Sequence, residues 1–196
     1  MNTEKDPFFI GYIGAQGALK PFLYVLAVAL VVASGALSYW VGTTQTDPGP
    51  GALRFDYGRQ TVTGVIELTP VPILHVTEGT DRVPAGRTLM MTAGGKAGAQ
   101  DRADPLDGQL ATASGVVLER GDLDMLQLRG GRNGLQAAEG GGAGVIPTPE
   151  PLGRWRLAGE ICDGKCYAGA MRPGDGLAHK ACANLCIIGG VPAVFV

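Results

Sequence analysis

The run PFLYVLAVALVVASGALSYWVG, Pro21 to Gly42, divides the chain into an anchor and everything after it. No charged residue lies between Lys20 and Asp47. At about 1.5 Å per helical residue, roughly 20 apolar residues cross a hydrocarbon core ~30 Å thick. Pro21 suits a first helical turn, where a missing N–H is harmless. Tyr24 at one end and Tyr39 and Trp40 at the other are placed for an aromatic belt. Gly35 and Ser38 leave a small-residue patch where a partner helix in the membrane can approach. A cleaved signal peptide has a shorter apolar core behind a basic segment. Here the run is longer and residues 1–20 carry acids as well as lysines, so the expectation is an uncleaved single span over 21–42. Lys20 is the one basic residue at a boundary, which by the positive-inside rule puts residues 1–20 in the cytoplasm. The rest of the chain is then expected in the periplasm of a bacterial inner membrane.

Composition excludes several classes. The 196 residues include 32 Gly and 13 Pro, about twice average usage. Only 17% are charged, and the net charge is −2. A nucleic-acid partner is therefore not expected, because the basic excess is missing. Apolar residues make up 45%, too many for a disordered chain. Serine occurs only at Ser34, Ser38 and Ser114, which argues against a serine-hydrolase triad. His75 and His179 form no HExxH pair. Gly94-Gly95-Lys96-Ala97 lacks the spacing and the Ser/Thr of a phosphate loop. No constellation for acid–base or nucleophilic catalysis emerges, and the chain is expected not to be an enzyme.

After a Pro/Gly linker over 43–51, the sequence reads as short strands: Gln60–Leu68, Val71–Val76, Arg87–Thr92, Leu110–Glu119, Leu123–Leu128 and Trp155–Ile161. Only 97–107 has helical character in this region. Gly64, Gly115 and Gly159 lie inside strand-like patterns, where glycine marks bulges or barrel bends. The expected fold is mostly β: one N-terminal transmembrane helix, a small OB-like barrel over 52–128 and a Cys-rich C-terminal module. Residues 129–153 read as a Gly/Pro-rich surface loop, and 154–196 as a strand plus that module. His75 reads as a satisfied barrel histidine, Met90-Met91 as core or interface, and Trp155 as core flanked by Arg154 and Arg156.

All four cysteines lie in the last 35 residues, as Cys162-x3-Cys166 and Cys182-x3-Cys186. A helix over Ala178–Ile188, stopped by Gly189-Gly190, would put His179, Cys182 and Cys186 on one face. Two disulfides are one reading; facing arms would pair Cys162 with Cys186 and Cys166 with Cys182. A second is a metal or iron–sulfur site drawn from Cys162, Cys166, His179, Cys182 and Cys186, for an iron–sulfur cluster, Zn or Cu. A third is one disulfide with a redox-active remainder, tuned by Asp163, Lys165 and Lys180. The first is preferred, so no cofactor is favoured.

The stretch from Gly159 to Phe195 resembles a segment of bacterial membrane-anchored proteins with the pattern Gly-Glu-Ile-Val-Asp-x-Lys-Cys-Tyr/Phe, then His-Lys/Arg-x-Cys-Ala-x-x-Cys-Ile-x-Gly-Gly-x-Pro. Cys166, His179, Cys182 and Cys186 match it; Cys162 replaces an aliphatic residue. The likeness extends more faintly to the barrel region and to Phe8–Tyr12. These proteins are similar to ones encoded among respiratory electron-transfer components, which implies partners of that kind but no activity. The expected function is a non-catalytic accessory subunit of a bacterial membrane electron-transfer complex, contacting its other subunits and the lipid bilayer. The alternatives are a redox or metal-binding protein and a copper or assembly factor.

Overall fold

The structure, a computed structural model, describes residues 17, 19–44, 47–140 and 146–196. The chain forms two units, Met1–Asp47 and Pro48–Val196. Helix α1, Leu19–Thr44, is the described part of the first. Its 26 residues give about 39 Å of helix. It is long and apolar enough to cross a membrane, and it extends two residues beyond the sequence-based span at each end. None of its side chains is buried within the protein, and Gly35 and Ser38 lie on it among them. Thr43 and Thr44 return their hydroxyls to the carbonyl of Trp40, so the last turn satisfies its own orphan acceptors.

The second unit is built on a closed barrel. In chain order its strands are β1 (Ala52–Leu53), β2 (Gln60–Glu67), β3 (Ile73–Glu78) and β4 (Thr88–Thr92), then α2 (Gln100–Ala103), β5 (Leu110–Arg120), β6 (Leu123–Leu128) and β7 (Leu135–Ala137). Neighbours run β5-β2-β3-β4-β6, and β6 pairs back onto β5 to close five strands. All pairings are antiparallel except β4 with β6, which is parallel. Strands β1 and β7 add to the edges of β5.

Two of the strand glycines explain the closure. The β2–β3 register shifts between Thr63 and Gly64. A Cβ at Gly64 would overlap the His75 carbonyl of the facing strand. Gly115 pairs with Gln60 of β2 and with Leu128 of β6, so it is where β5 leaves one neighbour for the other. A Cβ there would strike the Gln127 carbonyl. Inside the barrel, Ile66, Leu74, Leu89, Met91 and Leu126 are at most 1% exposed, and each contributes about 1.5–3 kcal/mol through burial. Met91 is thus core and Met90 packs partly buried against a second cluster, Leu118, Met125 and Ala168. His75 is a barrel histidine whose Nε2 meets Glu67 Oε2 at 2.7 Å.

Several expectations need correction. Residues 147–160 form no strand; the strand β8 begins only at Ile161 and ends at Asp163. Trp155 is 72% exposed, its indole N–H donating to the Leu152 carbonyl. Of that segment Glu160 pairs, exchanging backbone hydrogen bonds with Val196, while residues 155–159 carry no strand pairing among the described residues. The 129–153 loop is partly structured: Leu135 is buried, β7 pairs with β5, and Arg102 donates to the carbonyls of Arg129 and Gly131. Residues 141–145 of that loop, Phe8–Tyr12 and the rest of 1–16 lie outside the described residues. The end of the 43–51 linker is fixed as well. Arg120 donates to the Gly49 carbonyl and Arg172 to that of Gly51. The 97–107 segment is helical only as α2 and a 3-10 turn at Asp104–Leu106.

Candidate metal centre

Strand β8 pairs with β9 (Ala193–Phe195), and helix α3 (Lys180–Ile188) lies between them in sequence. After β8, the Asp163-Gly164-Lys165 turn leads into a wide helical turn at Cys166–Ala170, broken at Gly169 with φ +124°. That turn packs on β1, β5 and β6, burying Ala168 beside Leu118 and Met125. His179 occupies the N-cap position of α3 and Gly189 ends it, so the helix starts two residues later than the Ala178 expected from the sequence.

Asp163 organises the centre. It is fully buried, and its Oδ1 accepts the Cys166 backbone N–H at 2.8 Å. Its Oδ2 lies 2.8 Å from His179 Nε2, and that ring is 2% exposed. With Nε2 bound to a carboxylate, Nδ1 is the nitrogen left to accept or to ligate, the usual arrangement behind a metal-bound histidine. Around this pair, the ligand atoms of Cys166, His179 and Cys182 all lie within 4.8 Å of one another. Those of Asp163, Cys166 and Cys186 do the same, so Cys166 belongs to both groups.

One lysine reaches the sulfurs and a second is buried against the loop after β4. Lys96, from the loop after β4, donates to Cys182 Sγ at 2.8 Å and to Cys186 Sγ at 3.8 Å. That contact, chiefly the hydrogen bond to Cys182, raises the Lys96 ammonium above its ordinary range. Lys165 is buried and donates to the carbonyls of Ala93 and Gly95, both at 2.8 Å. Burial lowers its pKa, opposed by the charges of Cys166, Cys186 and Asp163. Met171 Sδ sits 3.9 Å from Cys182 Sγ.

The loop is brought to the helix by bare backbone. Gly98 N–H donates to the Gly189 carbonyl at 2.8 Å. A Cβ on Gly98 would overlap Gly190, and one on Gly189 would overlap the Lys96 carbonyl. Glycine at 98 and 189 is therefore what lets Lys96 reach cysteines in α3, 86 positions away.

The sequence-predicted residues divide. Cys166, His179, Cys182 and Cys186 come together, whereas Cys162 stands apart from both groups. Its thiol donates to Glu160 at 3.2 Å, and burial, then Glu160, pushes it up to about 12. All four cysteines are free thiols, with neither Cys162–Cys186 nor Cys166–Cys182 bonded. Burial raises the Cys166 and Cys186 thiols too, with Asp163 adding to both. Lys180 makes none of the contacts given above for the centre. Lys96 and Met171 were not foreseen from sequence; they lie far from, or between, the cysteine arms. The one available signal was the pairing of Gly98 with Gly189-Gly190, legible only once the two loops are adjacent.

By residue type, Asp163, His179 and Cys166 make a thiol triad. Their chemistry runs the other way, since all three are buried and the thiol is raised rather than activated. The two overlapping groups offer three sulfurs, an imidazole nitrogen and a carboxylate oxygen, donors of the kind that soft or borderline ions take. Comparison with family models, curated proteins and solved structures returns no match.

Proposed function

We propose that this chain is a single-span inner-membrane protein whose periplasmic β domain binds a soft metal ion at Cys166, His179, Cys182 and Cys186, without catalysing a reaction itself. The observation that carries the reading is a pair of overlapping donor groups, Cys166–His179–Cys182 and Asp163–Cys166–Cys186, that share Cys166 beside the Asp163–His179 pair. Three cysteines and a histidine suit a Cys3His set better than a four-cysteinate cluster, which would need Cys162 as well. The strand order, with β4 and β6 parallel and a short helix between β4 and β5, supports an OB-type barrel as the scaffold. The test is metal analysis of the full-length protein, purified reduced in detergent. One ion per chain is expected, lost in Cys166→Ser and Cys182→Ser and kept in Cys162→Ser. Retention of the ion by Cys182→Ser would refute the site.

A second reading, an accessory subunit of a membrane electron-transfer complex, is favoured by residues 147–160. This extended arm carries Leu152, Trp155 and Leu157 at 76, 72 and 64% exposure, an apolar surface suited to cover by a partner. Co-purification of other subunits in mild detergent is its test, and a protein that runs alone would sink it.

A further inference from the structure

Resting on the metal-binding reading above, we infer that the ion is monovalent and soft, a cuprous ion, and that Lys96 and Met171 set that choice. Fixed positive charge opposes a divalent ion twice as strongly as a monovalent one at the same distance. One ammonium group contacts these sulfurs directly. Lys96 donates directly to Cys182 and, at longer range, to Cys186. Lys165 is held by the Ala93 and Gly95 carbonyls, both at 2.8 Å. Three thiolates leave one surplus negative charge around a divalent ion and two around a monovalent one, so the Lys96 ammonium offsets more with the monovalent ion.

The second argument is the thioether. Met171 Sδ lies 3.9 Å from Cys182 Sγ on the open side of the centre, where Cys182 is half-buried and Met171 is 47% exposed. Thioethers ligate Cu(I) and are poor ligands for Zn(II). The same opening is the route by which an ion reaches the buried Cys166 and Cys186. Binding releases thiol protons and transfers no electron. Lys96 acts through its charge, and Met171 offers the monovalent ion a thioether beside the cysteines and His179.

The experiment uses the full-length protein in detergent, reduced and anaerobic. Cu(I) affinity is read by competition with bathocuproine disulfonate, and Zn(II) affinity by competition with a chromophoric zinc chelator. Cu(I) is expected to bind more tightly than Zn(II). Lys96→Met is expected to tighten Zn(II) by roughly ten-fold and Cu(I) by clearly less. Met171→Leu is expected to weaken Cu(I) several-fold and leave Zn(II) unchanged. Tight Zn(II) binding with weak Cu(I) binding would overturn the inference while leaving the metal site standing, as would a Met171→Leu variant indistinguishable from the parent with both ions. Binding of neither ion would overturn the site and the inference with it.

Discussion

Replacing Asp163 by alanine removes the group on which the centre is organised. The fully buried carboxylate satisfies the Cys166 N–H and His179 Nε2, both at 2.8 Å. Truncation leaves both without a partner in a site that water does not reach. Removing one member of a buried pair costs about 3–5 kcal/mol, a large share of the 5–15 kcal/mol that holds a typical domain together. At about 2–4 °C per kcal/mol for a chain of this size, the melting temperature should fall by roughly 6–20 °C. Asp163→Asn separates charge from hydrogen bonding. Its amide oxygen still accepts from Cys166, so the loss should be nearer ~1–3 kcal/mol. Metal affinity should nevertheless fall about 10–100-fold in the Asn variant, because the imidazole loses the carboxylate that orients it. The assay is thermal unfolding by circular dichroism on the full-length protein in detergent, with metal titration of each variant that folds. An Asp163→Ala protein melting with the parent, or an Asp163→Asn protein with parental metal affinity, would refute the reasoning.

Other perturbations reach different parts of the structure. Cys162, pushed up to about 12 by burial and Glu160, keeps its proton where an unfolded thiol loses it. Its contribution to stability is therefore complete below the ordinary thiol range and lost as pH climbs from about 9 toward 12. At pH 8–9, iodoacetamide labelling followed by peptide mass spectrometry should mark Cys182 well before Cys162; equal rates would contradict this. Burial raises the Asp124 carboxyl, and Arg87, its ion-pair partner, opposes that shift. Arg87→Ala should cost about 1 kcal/mol at pH 7, discounted because Arg87 is half exposed. The deficit should shrink on acidification, since a raised carboxyl favours the folded state at low pH, and urea titrations at pH 7 and pH 5 check the sign. Gly98→Ala forces a Cβ into Gly190. It should destabilise by about 1–3 kcal/mol and move Lys96 off Cys182, seen as slower Cys182 alkylation, since a neighbouring ammonium favours the reactive thiolate. Finally, alkaline carbonate should leave the full chain in the membrane pellet and release a version lacking residues 1–46.

What was legible in the sequence follows from how locally each feature is determined. The α1 helix is written in one uninterrupted apolar run, and the barrel strands in alternation broken by Gly64 and Gly115. The α3 face was legible because His179, Cys182 and Cys186 repeat at helical spacing. The strand expected at Trp155–Ile161 failed over 155–159 because alternation states only that a segment can pair, not that an edge is there to pair with. The centre was half legible. The sequence showed which cysteines and which histidine were available, but not that Cys162 would turn to Glu160. Lys96 was invisible as a member because only a close backbone approach between Gly98 and Gly189 carries it across the fold. From the sequence Asp163 stood out as a residue that could tune a neighbouring thiol, and its second oxygen found His179 through tertiary structure alone.

X-ray absorption on the full-length protein loaded with Cu(I) or Zn(II) decides whether the sulfurs and the imidazole hold the ion. The prediction is a sulfur-rich shell with an imidazole nitrogen, metal–sulfur distances near ~2.3 Å for zinc, and loss of that shell in Cys182→Ser. An ion surrounded only by oxygen and nitrogen would contradict the claim. So would a protein that takes up no ion and instead isolates with its sulfurs joined at ~2.05 Å.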